Sequence, residues 1–132
     1  MIDHLSFYAT DFPATKKFYD ATLPTLGYGV VMEMVAEWNP DWPTQRICAY
    51  GPPKKPTLWL TEKKERASPR HIAFVAPDRA AVTAFHTAAL AASGVDDGAP
   101  GPRPMYHPNY YGAFVIDPDG NHVEAVCHRA DG

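Results

Sequence analysis

The sequence predicts an α+β protein built from two tandem βαβββ modules, which together form a curved, partly open mixed sheet around a shared cavity. Two observations carry this. The chain repeats itself once, and each copy shows the same succession of strand, amphipathic helix and three short strands. Sliding the sequence by 67 residues matches His4 with His71, Phe7 with Phe74, Ala9 with Ala76, Asp11 with Asp78 and Ala14 with Ala81. It also matches Phe18 with Phe85, Ala21 with Ala88, Leu23 with Leu90 and Gly27 with Gly94, without a gap. A fixed internal period of this kind marks a duplicated structural unit. The modules are expected at 1–66, including a linker around Lys63-Lys64-Glu65-Arg66, and at 67–132.

Each copy opens on an alternating strand, 2–9 or 71–76. Asp11 and Asp78 follow as helix N-caps, because a carboxylate accepts hydrogen bonds from the free N–H groups of a first turn. Pro13 falls in that turn, where a missing N–H costs little. Apolar residues three or four apart predict helices buried through Phe12, Phe18, Tyr19, Thr22, Leu23 and Leu26, and through Val82, Phe85, Ala89 and Leu90. Gly27 and Gly94 are expected to end them in the left-handed conformation. Strands are predicted over 28–35, 46–50 and 57–61, then near Val95, over 112–116 and over 122–128. Pro118-Asp119-Gly120-Asn121 signals a hairpin turn.

Composition sets the class. The chain has 132 residues, 45% of them hydrophobic and 20% charged, with a formal net charge of −3. These values suit a soluble globular chain and argue against nucleic acid or an anionic membrane as partner. The start lacks the basic and apolar stretches of a signal peptide, and no window approaches the length of a membrane span. Cys48 and Cys127 lie in apolar stretches without metal-ligand spacing, so buried reduced thiols and a cytoplasmic location are expected.

Strand parity then selects candidate site residues. Leu5 and Phe7 suit the helix-covered face, as do Ile72 and Phe74, which leaves His4, Ser6 and Tyr8, and His71, Ala73 and Val75, on the other. In the last strand Val123, Ala125 and Cys127 form the apolar side, with Glu124 opposite. Two modules related by an approximate two-fold would bring His4, His71 and Glu124 into a common hollow. Two imidazoles and one carboxylate suit Zn, Ni, Mn, Fe or Co in the +2 state, and three protein ligands leave positions open for substrate. His107 and Tyr110, in a ring-rich proline loop with Tyr111, are candidates for acid, base or hydrogen-bond donor over the metal. Tyr8, Thr57 and Trp59 share the cavity-facing parity; Trp38 and Trp42 suit a core edge better. His86 and His128 are expected at the surface, and His122 is unassigned.

The residues His4-Leu5-Ser6, Phe18-Tyr19, Leu26-Gly27-Tyr28, His71-Ile72-Ala73-Phe74 and the stretch from Asp117 to Glu124 resemble the vicinal oxygen chelate superfamily. That superfamily includes glyoxalase I, bleomycin-binding proteins, fosfomycin transferases and extradiol dioxygenases. The resemblance implies a metal on His4, His71 and Glu124, a small-molecule substrate and, commonly, a homodimer. It implies a glyoxalase-like lyase or isomerase that chelates adjacent substrate oxygens and stabilises an enediolate-like anion. Its alternatives are a metal-free sequestering protein of the bleomycin-resistance kind and a ring-cleaving dioxygenase. Glyoxalase I adds a fourth ligand on the last strand of the first module, where the 67-residue offset puts Thr57. The extradiol pattern wants a tyrosine where Phe114 stands. A fosfomycin transferase would need cationic side chains, for which Arg103 and Arg46 are the candidates.

Overall fold

In the computed structural model, which describes residues 1–130, the chain runs β1 (Leu5–Ala9), α1 (Phe12–Thr22), β2 (Gly29–Val35), β3 (Arg46–Gly51), β4 (Leu58–Glu62), β5 (His71–Val75), α2 (Arg79–Ala91), β6 (Val95–Pro102), β7 (Tyr111–Ile116) and β8 (His122–Cys127). Two four-stranded mixed sheets result, ordered β1-β4-β3-β2 and β5-β8-β7-β6. In each, the first strand of the module lies parallel to the last, and the other neighbours are antiparallel. The predicted duplication is thus realised strand for strand. No helix among the described residues is long and apolar enough to cross a membrane.

The helices begin as their sequences dictate. Asp11 accepts from the Ala14 N–H at 3.2 Å, and Asp78 from the Ala81 N–H at 2.7 Å. Helix α1 passes into a 3-10 turn, Leu23–Leu26, which ends on Gly27 at φ 90°. Helix α2 ends differently from expectation. Its left-handed residue is Ser93, at φ 70°, rather than Gly94. Gly94 is needed for another reason: a Cβ there would sit 2.6 Å from Phe18 Cε2 and 2.8 Å from the Ala89 carbonyl oxygen. The second module's backbone presses directly on a first-module ring. The buried stripe of α2 is Val82, Phe85, His86 and Ala89, whereas Leu90 is exposed. His86 is therefore not the surface residue expected; its Nε2 lies 2.9 Å from Asp96 Oδ1.

One core joins the modules. Phe7, Phe18, Tyr19 and Leu60 from the first belong to the same buried cluster as Val82, Phe85, Val115 and Val123 from the second. Burying the apolar stripes of both helices against both sheets stabilises the pair by roughly 25 cal/mol per Å² of apolar surface removed from water. The Asp117–Asn121 turn clamps the arrangement. Asp117 accepts from Tyr19 Oη at 2.6 Å and from the Asp119 and Asn121 backbone N–H groups, both at 2.9 Å. Asp119 accepts from the Thr10 N–H and hydroxyl at 2.9 and 2.6 Å.

These contacts set how the free edges of the two sheets lie. The end of β1, at Thr10, meets the turn just before β8, whose first residue His122 pairs with His71 at the start of β5. The residues before β1, Ile2 and Asp3, share a cleft with Phe74 near the end of β5. Strands β1 and β5 therefore run in opposite senses, with the end of β1 near the start of β5, where Arg70 reaches the Tyr8 ring, and the residues before β1 near the end of β5. Their first residues, and with them His4 and His71, lie at opposite ends.

Candidate metal centre and ligand face

On β8, Val123, Ala125 and Cys127 enter the shared core and leave Glu124 on the other face. A carboxylate on an open face would normally be solvated, yet Glu124 is only 2% exposed. Two groups cover it. His71, beside it across the β5–β8 pairing, places Nε2 3.0 Å from Glu124 Oε1, and the hydroxyl of Tyr110 donates to Oε2. Gly112 on β7 makes the room, since a Cβ there would lie 3.2 Å from Tyr110 Cε1 and 3.4 Å from Glu124 Oε2. Burial, and then the neighbouring Glu124 carboxylate, push the Tyr110 hydroxyl well above the ordinary phenol value. It is held as a donor at neutral pH. The His71 side chain stays 59% exposed, so the pair is reachable from solvent.

Tyr110 belongs to a loop that folds on itself. The Tyr106 N–H donates to the Arg103 carbonyl at 3.0 Å, the Tyr110 N–H to the His107 carbonyl at 3.2 Å, and the Arg103 N–H to the Tyr110 carbonyl at 2.8 Å. The rings of Tyr106, His107 and His128 surround that of Tyr110, with centroids 4.9, 5.4 and 5.4 Å away. His107 Nδ1 accepts from the Asn109 N–H at 3.0 Å, which leaves Nε2 to carry its proton towards His128 Nδ1, 2.9 Å away. His128 is exposed, as expected, and joins this cluster at the surface. The signal for its place is its position four residues after Glu124, just past the end of β8, which keeps it on the Glu124 side of the chain.

The other predicted residues lie apart from one another. Trp59, with His4, Ser6, Met34, Trp38, Ile47 and Thr61, lines a hollow of about 350 Å³ on the open face of the first sheet. Thr57 precedes β4 and lines a different cleft with Tyr28, Leu58 and Phe74. The Tyr8 ring is held by Lys63 Nζ and the Arg70 guanidinium, each 5.0 Å from its centroid. Tyr111 packs on the core side of β7, its ring 4.9 Å from the Arg79 guanidinium, and so faces away from Glu124. The Arg103 guanidinium lies 5.3 Å from the Phe114 ring centroid and donates to the Ala99 carbonyl at 2.7 Å. His122 Nδ1 lies 3.0 Å from Asp97 Oδ2.

Of the three predicted metal ligands, two meet. His4 lies just before β1, its Nδ1 2.6 Å from Asp3 Oδ1. Among the described residues no group of three His, Cys, Asp or Glu is positioned to hold a metal ion. The cause is the opposed run of β1 and β5, which strand parity alone does not reveal. Sheet register also corrects the repeat equivalence. Ser6 and Ala73 correspond under the 67-residue offset; Ser6 pairs with Trp59 and Ala73 with Glu124. The first-module counterpart of Glu124 is therefore Trp59, not Thr57. Connections of unequal length after the helices break the offset before β4.

The comparisons with known proteins agree with this architecture. A family model described as the Glyoxalase/Bleomycin resistance protein/Dioxygenase superfamily matches residues 1–125. The chain belongs to that superfamily. A solved glyoxalase/bleomycin resistance protein from Albidiferax ferrireducens T118 is 29% identical with a TM-score of 0.74, over 96% of this chain and 98% of that one. A lactoylglutathione lyase from Agrobacterium tumefaciens is 21% identical with a TM-score of 0.65, over 96% and 92% of the two chains. Glyoxalase I from Zea mays is also 21% identical, with a TM-score of 0.68; the match covers 96% of this chain but 45% of the maize one. The last two likenesses speak for the fold. Comparison with curated proteins returns no match.

Proposed function

We propose that the chain is a divalent-metal-dependent, glyoxalase-like enzyme of lyase or isomerase type, acting on a small substrate with adjacent oxygens. Its metal would be held by His71 and Glu124 of one copy and His4 of a second copy. The observation that carries this is the His71–Glu124 pair. Two ligands at right angles on a metal, each bonded at about 2.1 Å, lie roughly 3 Å apart. The imidazole nitrogen and the buried carboxylate oxygen already stand 3.0 Å apart. Tyr110 fixes the far carboxylate oxygen, the kind of outer support that metal-ligating carboxylates have.

The donor set fits a borderline divalent ion such as Zn, Ni, Mn, Fe or Co. Bound there, such an ion supplies a Lewis acid that polarises adjacent substrate oxygens. Around it, Tyr110 orients Glu124, and the His107–His128 pair holds a proton that solvent can exchange at the edge of the same face. Because β1 and β5 run in opposite senses and set His4 and His71 apart within one copy, an isologous dimer, the commonest oligomeric assembly, supports completion of each site from both copies. Phe114, which pairs with Glu124 and cannot donate a hydrogen bond, weighs against ring cleavage. The second reading, metal-free sequestration, draws on the tryptophans of the first sheet's hollow.

Metal analysis of chelator-free protein tests the proposal. Wild type should carry about one ion per chain, and His4→Ala, His71→Ala and Glu124→Ala should lose it. Unfolding and refolding a mixture of the His4→Ala and His71→Ala chains should restore roughly a quarter of the sites, since each mixed dimer regains one intact site. No restoration sinks the shared site, and metal-free wild type that still binds ring compounds favours sequestration.

A further inference from the structure

We infer that the open face of the first sheet is the recognition half of the site, and that Trp59 selects substrates whose adjacent oxygens are joined to a flat apolar group. The metal reading above is used only for the oxygen end of such a molecule. Trp59 occupies in its sheet the register position that Glu124 occupies in the other. Where a carboxylate would extend the ligand set, the first module offers an indole face. The surface around it continues in kind, through Met34, Ile47 and Trp38. Trp38, in the turn that follows β2, is 67% exposed and extends the apolar lining of the hollow beyond the sheet itself.

The polar groups of this hollow are few: the His4 imidazole and the Ser6 and Thr61 hydroxyls, Ser6 beside Trp59 across the β1–β4 pairing. Its lining includes no Lys, Arg, Asp or Glu. A charged substrate tail would lose its hydration there with nothing in exchange. A ring would gain stacking on indole and contact with the Met34 thioether. The volume, about 350 Å³, lies near the lower end of the range for small-ligand pockets and suits one ring with a short substituent.

Mandelate and lactate test this, since both are monoanions with the same adjacent oxygens and differ in phenyl against methyl. Calorimetric titration of metal-loaded protein should show mandelate binding about tenfold tighter. Trp59→Phe should keep most of that preference. Trp59→Ala should bring the two ligands within about twofold of each other by weakening mandelate alone. Equal affinities in wild type, no binding of either, or a preference that survives Trp59→Ala would each overturn the inference. So would a Trp59→Ala protein that loses only its dimerisation. Failure of the metal reading is distinguishable, because it appears in metal content and weakens both ligands together while their ratio is still measured.

Discussion

The phenol of Tyr19, in the first module's helix, donates to Asp117 at the head of the second module's last turn, 98 residues away and 2.6 Å apart, with both side chains buried. Asp117 is at once the hub of its own turn and the anchor of the opposite module. Removing it strands the Tyr19 hydroxyl, two backbone N–H groups and the Asn121 amide, so Asp117→Ala should cost about 3 kcal/mol in denaturant unfolding. Tyr19→Phe, which leaves Asp117 its other donors, should cost about 1 kcal/mol. Burial, followed by the Asp117 charge, raises the Tyr19 hydroxyl far above the ordinary phenol value. Spectrophotometric titration should therefore find this phenol ionising only as the protein unfolds in alkali.

Tyr110→Phe isolates the support of the candidate metal centre from its ligands. The ring cluster should survive, and Glu124 should lose its hydroxyl donor. Metal affinity should fall by about tenfold without loss of the fold, a typical effect of removing an outer partner. Unchanged affinity in a metal competition assay would mean that the hydroxyl does not position the carboxylate.

Arg46 and Glu62 form a bidentate pair on the first sheet, with Nε 3.1 Å from Oε1 and Nη2 2.6 Å from Oε2. The hydrogen bond from Arg46 holds the Glu62 carboxyl below its ordinary value of 4.5. A depressed folded pKa contributes stability that is present above the unfolded pKa and disappears as pH falls through the folded one. Glu62→Gln should therefore lower the melting temperature at pH 7, by the equivalent of at most about 1 kcal/mol given the solvent on the arginine. The difference from wild type should close as the pH drops below 4.5. A difference that persists at pH 2 would assign the effect to packing instead.

Cys48 and Cys127 are both buried, and burial raises the Cys48 thiol above its usual range. Since the thiolate is the reactive form, neither should react with a colourimetric disulfide reagent at neutral pH until denaturant is added. Both should then be titrated.

Much of the fold was legible because local rules and global packing agreed. The Asp caps, the apolar stripes and the duplicated strand–helix opening all follow from short-range chemistry that a sequence displays directly. Where packing decided, the sequence was silent. Ser93 took the left-handed position that glycine suits better, because Gly94 was claimed by the Phe18 ring. His86 looked like a surface residue until Asp96 supplied a partner on the adjoining strand. Strand parity put His71 and Glu124 on one face, but distance along a strand depends on how two sheets abut. That is a property of the clamp at Asp117 and Asp119, and it separated His4 from the other two. The Thr57 equivalence failed for a related reason, since a sequence offset counts loop residues whereas sheet register does not.

The shared core has a consequence for how such a chain can change. Nearly all the apolar burial that ties the modules together lies on the helix side of the sheets, while the open faces carry side chains that the scaffold scarcely leans on. At one equivalent spot, the two halves of this molecule already tolerate groups as unlike as an indole and a carboxylate. A scaffold with that division of labour can exchange its chemistry one residue at a time and stay folded throughout.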